Sequence, residues 1–222
     1  MRIVFLIIFF GINLIFGQNI KIPEITPEQK ENANTVKISD FQTIEYKSYN
    51  KVISSNKYVV LVLNEIGFNA LDLSENYNKS NKIKNLNVTV YNSSGVKVKK
   101  FGKADFKDRS LLDDSTMFSD SRLLFLDYTP TAYPFVLEYE CETESVNTAF
   151  LNAWSPISRL HETVLEAKLE IIKTPEFEVN LKFQKLEEFN VEKLDSSTKT
   201  IFTAKNIMAI KPEAYADYSK EF

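Results

Sequence analysis

The sequence predicts a mainly β protein, and three observations carry that expectation. From Thr35 onward the chain breaks into short runs of β-branched and aromatic residues separated by polar turns. One run, Phe135 to Glu144, sets Glu138, Glu140, Glu142 and Glu144 in strict alternation with Leu137, Tyr139, Cys141 and Thr143, which is the period of a strand with one wet face and one packed face. Between two further runs, Asn92-Ser93-Ser94-Gly95 has the chemistry of a hairpin turn. With 222 residues, 44% of them hydrophobic and 13% aromatic, the chain has enough apolar surface to bury a substantial core.

The elements follow in order. Met1 and Arg2 precede an apolar run from Ile3 to Phe16, broken by Gly11 and Asn13, and then Gly17-Gln18 opens a polar chain. Residues 1–17 therefore read as a secretory signal peptide cleaved before Gln18, because a membrane-spanning helix needs roughly 20 apolar residues. An uncleaved N-terminal anchor is the alternative, and only in that case is a membrane expected as a partner. The single cysteine, Cys141, lies far from the cleavage site, so no lipid attachment is expected there. Residues 18–34 form an N-terminal segment with a short helix: Thr26 caps it, Pro27 fits the first helical position, and Gln29 closes a capping box.

A β domain is expected over residues 35–210. Its candidate strands are Thr35 to Ile38, Thr43 to Tyr46, Lys57 to Leu63, Leu86 to Tyr91, Val96 to Lys100, Leu123 to Tyr128, Phe135 to Thr143, Glu178 to Phe183 and Thr200 to Thr203. Turns are expected at Asn64-Glu65-Ile66-Gly67 and Asn92-Ser93-Ser94-Gly95, with glycine supplying a positive φ at each. The segment Thr163 to Ile172 fits both helical and strand spacing, and the pattern leaves both open. From Lys211 the apolar pattern stops, and residues 211–222 read as a truncated linker.

Composition excludes several kinds of chemistry. Lys+Arg 27 against Asp+Glu 30 gives a net charge of -3, which offers no overall attraction to nucleic acid. One cysteine and one histidine are too few for an internal disulfide, a Cys/His zinc site or a thiolate-held cluster. Five glycines include no phosphate-cradling loop. No cofactor and no metal site is expected.

Four constellations remain. Cys141 and His161 are the one pair able to act as nucleophile and base, but the strand period turns Cys141 toward the packed face, where a thiol behaves as a small apolar residue. The glutamate row is expected to be a solvated face paired with lysines, since same-face neighbours on one strand stand too far apart to share an ion. Asp108, Asp113, Asp114 and Asp120 lack the pattern of a calcium loop and read as turn residues. The stretch holding Phe125, Tyr128, Tyr133, Phe135, Tyr139, Phe150 and Trp154 reads first as the seam of a sandwich core, with Tyr133 and Trp154 as the candidate interaction surface.

Four strings occur in order: Tyr91-Asn92-Ser93-Ser94-Gly95; Phe118-Ser119-Asp120-Ser121-Arg122; Leu126-Asp127-Tyr128-Thr129-Pro130 with Tyr133-Pro134; and Asn147-Thr148-Ala149-Phe150 with Trp154-Ser155-Pro156-Ile157. Together they resemble the bacterial domain of unknown function 3857, the N-terminal domain of transglutaminase-like exported proteins. The resemblance covers about residues 30 to 215. It implies an immunoglobulin-like β-sandwich in which Thr163 to Ile172 is a strand. It also matches Lys205-Asn206-Ile207 and Lys211-Pro212-Glu213-Ala214-Tyr215 to an exit segment before a papain-like core.

The Cys, His and Asp of such a core have no counterpart here, and Cys141 lacks the core nucleophile's Trp-Gly-x-Cys-like setting. The expectation is a non-catalytic module in the periplasm or cell envelope of a Gram-negative bacterium, with no catalytic residue of its own. Its expected partner is a transglutaminase-like core or an envelope protein. A stand-alone protein- or glycan-binding module is the alternative. A small hydrolase with an unrecognised site is the weakest rival, because no GxSxG elbow is present and one histidine restricts the base.

Overall fold

A computed structural model describes residues 19–111, 120–150, 153–182, 184 and 186–212. The expected signal peptide, Asp113, Asp114, Phe118 and the linker beyond Pro212 lie outside the described residues.

Helix α1, Pro27–Lys30, starts as its residues dictate: Gln29 N donates to Thr26 Oγ1 at 3.3 Å, and Thr26 N donates back to Gln29 Oε1 at 3.0 Å. Strand β1, Thr35–Ser48, unites two expected strands. The mostly polar stretch between them, Ser39 to Gln42, looked like a break, but a bulge near Ile38 keeps the ladder to the next strand continuous. Strand β2, Lys51–Val62, runs back antiparallel to β1.

The turn expected at Asn64 to Gly67 is a short helix, α2, Glu65–Asn69, capped by Asn64 Oδ1 accepting from Gly67 N at 2.9 Å. Gly67 does not supply a positive φ. It is required by proximity, since a Cβ there would stand 2.3 Å from the carbonyl oxygen of Asn34. Gly95 meets the expectation with φ of 81°.

Strands β3 (Ser74–Tyr77), β4 (Asn81–Asn92), β5 (Lys97–Gly102), β6 (Lys107–Ser110), β7 (Arg122–Phe125) and β8 (Phe135–Ser145) follow. Then come β9 (Glu162–Ile172), β10 (Glu192–Asp195) and β11 (Lys199–Ile207). The ambiguous segment after His161 is thus a strand. The expected strand Glu178 to Phe183 is not formed: residues 178–182 run as irregular backbone, and Phe183 lies outside the described residues. Phe177, Val179 and Leu181 do alternate inward, against Ile44, Leu169 and Phe202. They cover the face of a sheet rather than joining its edge, so the period reports burial without a ladder.

The strands form a β-sandwich of unequal sheets, ordered β10-β11-β9-β1-β2-β8-β4-β5 and β3-β7-β6. Paired neighbours are antiparallel except β1 and β9, which are parallel. The inner face of the large sheet carries the core. Over β2, β8 and β4 the small sheet closes it, with Leu124, Leu73 and Phe106 buried against Val60, Val62, Leu86, Val88 and Leu137. Over β1, β9 and β11 the cover is instead the segment after β8, through Trp154, and the segment 177–191.

The outer face is largely ionic, as its glutamates foretold. Lys57 Nζ meets Glu138 at 2.8 Å and Glu140 at 2.5 Å, and Lys51 Nζ meets Glu144 at 2.9 Å. One apolar patch there holds the start of the described chain: Ile20, Ile22 and Ile25 pack with Val36, Leu61, Tyr91 and Val136.

Candidate functional site

The half of the inner face without a second sheet encloses a cavity of about 650 Å³, inside the range of roughly 300 to 1,000 Å³ usual for small-ligand sites. Its floor follows from strand period: Ile44 and Tyr46 of β1, Leu169 and Ile171 of β9 and Phe202 of β11 project from the same side. Trp154 forms one wall, its ring 6.2 Å from Phe202. Phe177 forms the opposite cover, 5.7 Å from Tyr46 and 4.7 Å from Tyr49. At the mouth stand two exposed aromatics, Tyr49 on the β1–β2 hairpin at 76% exposure and Phe150 at 82%. Thr148 Oγ1 donates to the carbonyl of Tyr49 at 2.7 Å and ties the two loops together. Glu176, Glu178, Asn180 and Lys182 add polar groups to the lining. Burial pushes the Tyr46 phenol above its usual range, so it is an uncharged donor at any ordinary pH.

Of the two residues picked as an interaction surface, only Trp154 is part of this cavity. Tyr133, preceding a cis proline, packs 5.5 Å from Phe135 at the rim of the core under the small sheet. The two belong to different clusters and do not form one surface. Tyr128, Phe135 and Tyr139 are core or core-packed, as the seam reading anticipated. Phe177 lies far along the chain from Tyr46 and Tyr49, so no local pattern brings the three together, although two tyrosines at the end of β1 and in the hairpin turn were a readable hint.

Cys141 and His161 are kept apart. Cys141 lies on β8 and His161 immediately before β9, with β2 and β1 between, three strand spacings or about 14 Å across the sheet. The register sets Cys141 level with Leu169, well along β9 from His161. The thiol is buried, and burial first, then the Glu75 carboxylate, pushes it up to about 12. His161 holds a left-handed backbone at φ 57°, and its Nδ1 is 2.8 Å from the carbonyl of Asn32. Its role is that of a turn residue.

Two polar clusters inside the sandwich had no sequence signal. Glu75 reaches inward from β3 and accepts a hydrogen bond from the Tyr139 hydroxyl, while Tyr58 stacks on Tyr139 at 4.8 Å. Burial raises the Glu75 carboxyl above the usual range. Near the start of the paired strands β1 and β9, buried Lys37 Nζ sits 2.8 Å from Asp40 and 3.4 Å from Glu162. Ser158 Oγ donates to Glu162 Oε1 at 3.1 Å. Glu162 Oε2 makes no hydrogen bond, and Arg159 Nε stands 3.5 Å from it while Arg159 Nη1 donates to Ala70 O at 2.7 Å. Mutual compensation of buried charge is the role this geometry supports. Among the described residues no group of three or more His, Cys, Asp or Glu is placed to hold a metal ion, and no helix is long and apolar enough to cross a membrane.

The model of a family described as a domain of unknown function with a solved structure, DUF3857, matches residues 50–211. That span omits β1, which nonetheless lies between β9 and β2 in the middle of the sheet. No curated protein matches the chain. A solved structure from Parabacteroides distasonis ATCC 8503, described as a "putative protease", is similar with a TM-score of 0.62 and 13% identity, over 85% of this chain and 38% of that one. The chain thus spans well under half of that protein's length. A Legionella pneumophila structure described as a "putative nutrient binding protein" matches with a TM-score of 0.35 and 8% identity, over 82% of this chain and 65% of that one. At this identity the first likeness establishes the fold alone, and the second adds nothing to it.

Proposed function

The chain belongs to the DUF3857 family, and from that premise we propose that it is a non-catalytic β-sandwich module of an exported envelope protein. Its role is to position a transglutaminase-like core, or to present a surface to another envelope protein. The observation that carries this reading is the state of Cys141 and His161. The one thiol is buried and its pKa is pushed up to about 12, and the one imidazole lies three strands away against a backbone carbonyl. A thiol nucleophile is activated by a depressed pKa or by an adjacent base, and this pair has neither. Support also comes from the Parabacteroides structure, in which the same fold is a minor part of a longer chain.

The test is a peptidase and acyl-transfer assay on the purified chain beside its Cys141→Ala variant. The expected result is no turnover by either. Turnover that disappears on Cys141→Ala would overturn the reading. Intact mass of the secreted product, expected to begin at Gln18, tests export and leader removal together.

The aromatic cavity favours a second reading, a binding module for an envelope glycan or peptide. Tyr49, Phe150 and Trp154 offer ring faces at an open mouth, and the acidic and amide side chains of residues 176–180 offer polar partners. Trp154 is the only tryptophan, so its fluorescence reports the cavity directly. Titration with soluble cell-wall oligosaccharides should shift the emission of the wild type, and Tyr49→Ala should weaken the response. An unchanged spectrum at saturating ligand counts against the glycan form.

A further inference from the structure

We propose that the β5 edge of the large sheet is a docking surface for an anionic phospholipid bilayer. The overall charge of -3 conceals a local excess: Lys97, Lys99, Lys100, Lys103, Lys107 and Arg109 stand against Asp105 and Asp108 over residues 97–110, four positive charges in surplus. The ion pairs Lys107–Asp127 and Arg122–Asp108 leave that surplus unchanged. Strand β5 is the free end of the strand order, and residues 97–100 are exposed. Two apolar side chains stand among the lysines, Val96 at 43% and Val98 at 60% exposure. Cationic side chains near an anionic bilayer add attraction one by one, and short apolar groups between them enter the headgroup region.

The path of the chain at its other end brings a second signal to the same place. Ile20 N donates to the carbonyl of Gly95 at 2.9 Å, and a Cβ on Gly95 would stand 2.2 Å from the Ile20 oxygen, so the N-terminal segment is seated on the β4–β5 hairpin. The apolar run Ile3 to Phe16 ends four residues before Ile20. Whenever that run is in a membrane, the tether holds the β5 lysines close to the lipid surface. After leader removal the basic edge remains as the membrane-facing signal.

An acidic peptide adding a strand to β5 is the competing occupant. Lysines along an open edge discourage strand addition, whereas a flat array of lipid headgroups requires no backbone pairing. The geometry therefore favours the bilayer.

The test uses the chain from Gln18 onward, which contains every described residue. Sedimentation with vesicles of equal parts phosphatidylglycerol and phosphatidylcholine should carry the protein down, and phosphatidylcholine alone should not. Binding should fall as salt is raised. The triple variant Lys97→Gln, Lys99→Gln, Lys100→Gln should bind about a hundredfold more weakly. A matched variant, Lys30→Gln, Lys79→Gln, Lys205→Gln, should bind as the wild type does. Thermal melts of both variants that overlay the wild type keep loss of folding from mimicking loss of binding. Equal recovery on both vesicle types, undiminished binding by the β5 variant, or binding to polyglutamate with none to vesicles would each overturn the proposal.

Discussion

The two halves of the inner face are built from one continuous sheet, yet they end in different states. Over β2, β8 and β4 a second hydrogen-bonded sheet lies on the apolar side chains, and Val60, Val88 and Leu137 reach 0% exposure. Over β1, β9 and β11 the cover is irregular backbone, and a 650 Å³ cavity remains beneath it. Strand on strand satisfies its own backbone groups, so it can press down without access to water. An irregular segment needs solvent or side chains for those groups and stays partly lifted. The difference teaches that apolar character of the sheet alone does not decide where a core ends and a site begins. What the cover does with its backbone decides it.

The largest expected effect tests how well the first half is sealed. With its thiol pushed up to about 12 by burial, Cys141 should react with iodoacetamide at pH 8 on the order of a thousandfold more slowly in the folded protein than in urea. Alkylation at the unfolded rate would erase the distinction between the halves. Next in size is the contrast of two truncations. Leu137→Ala should cost about 3 kcal/mol in urea unfolding, while Leu181→Ala, in the loop cover itself, should cost less than about 1 kcal/mol. Equal losses would mean that both covers pack alike.

Trp154 supplies the third measure. Its fluorescence should be quenched by acrylamide in the folded state, because the cavity it borders has an open mouth. Emission protected from acrylamide would place that half with the sealed one.

The smallest effect concerns Glu75, whose carboxyl is raised above its unfolded value by burial. A group of that kind contributes stability that is complete below the unfolded pKa and is lost as pH rises through the folded pKa. Glu75→Gln escapes the loss, so its stability relative to wild type should improve between pH 4 and pH 7. A variant that instead loses stability relative to wild type over that interval would show the carboxylate to be stabilised in place.

The large sheet was more legible than the small sheet that seals it. The alternation from Phe135 to Glu144, the hairpin at Gly95 and the capping box at Thr26 each rest on local chemistry, and each stands in the structure. Strands β3, β6 and β10 were missed, because four-residue strands with exposed or mixed side chains are held by pairing partners that no local pattern announces. Residues 177–181 show the opposite failure: true alternation reported a buried side, but the segment lies on the face of the sheet, where no ladder can form. Trp154 stood out as a large aromatic near prolines. Tyr46, Tyr49 and Phe177 meet it only through the fold, so the cavity as a whole had no signature in the chain.

The parallel pairing of β1 with β9 joins Thr35 to Glu162 and Glu45 to Ile172, residues more than a hundred positions apart. Contacts of such separation form slowly, since a long loop must close before any of them is gained. The β9 side of β1 therefore stays unpaired until the chain has been made beyond Glu162, while the β1–β2 hairpin can form early. Under the export proposed above, closure of that seam falls to the far side of the membrane.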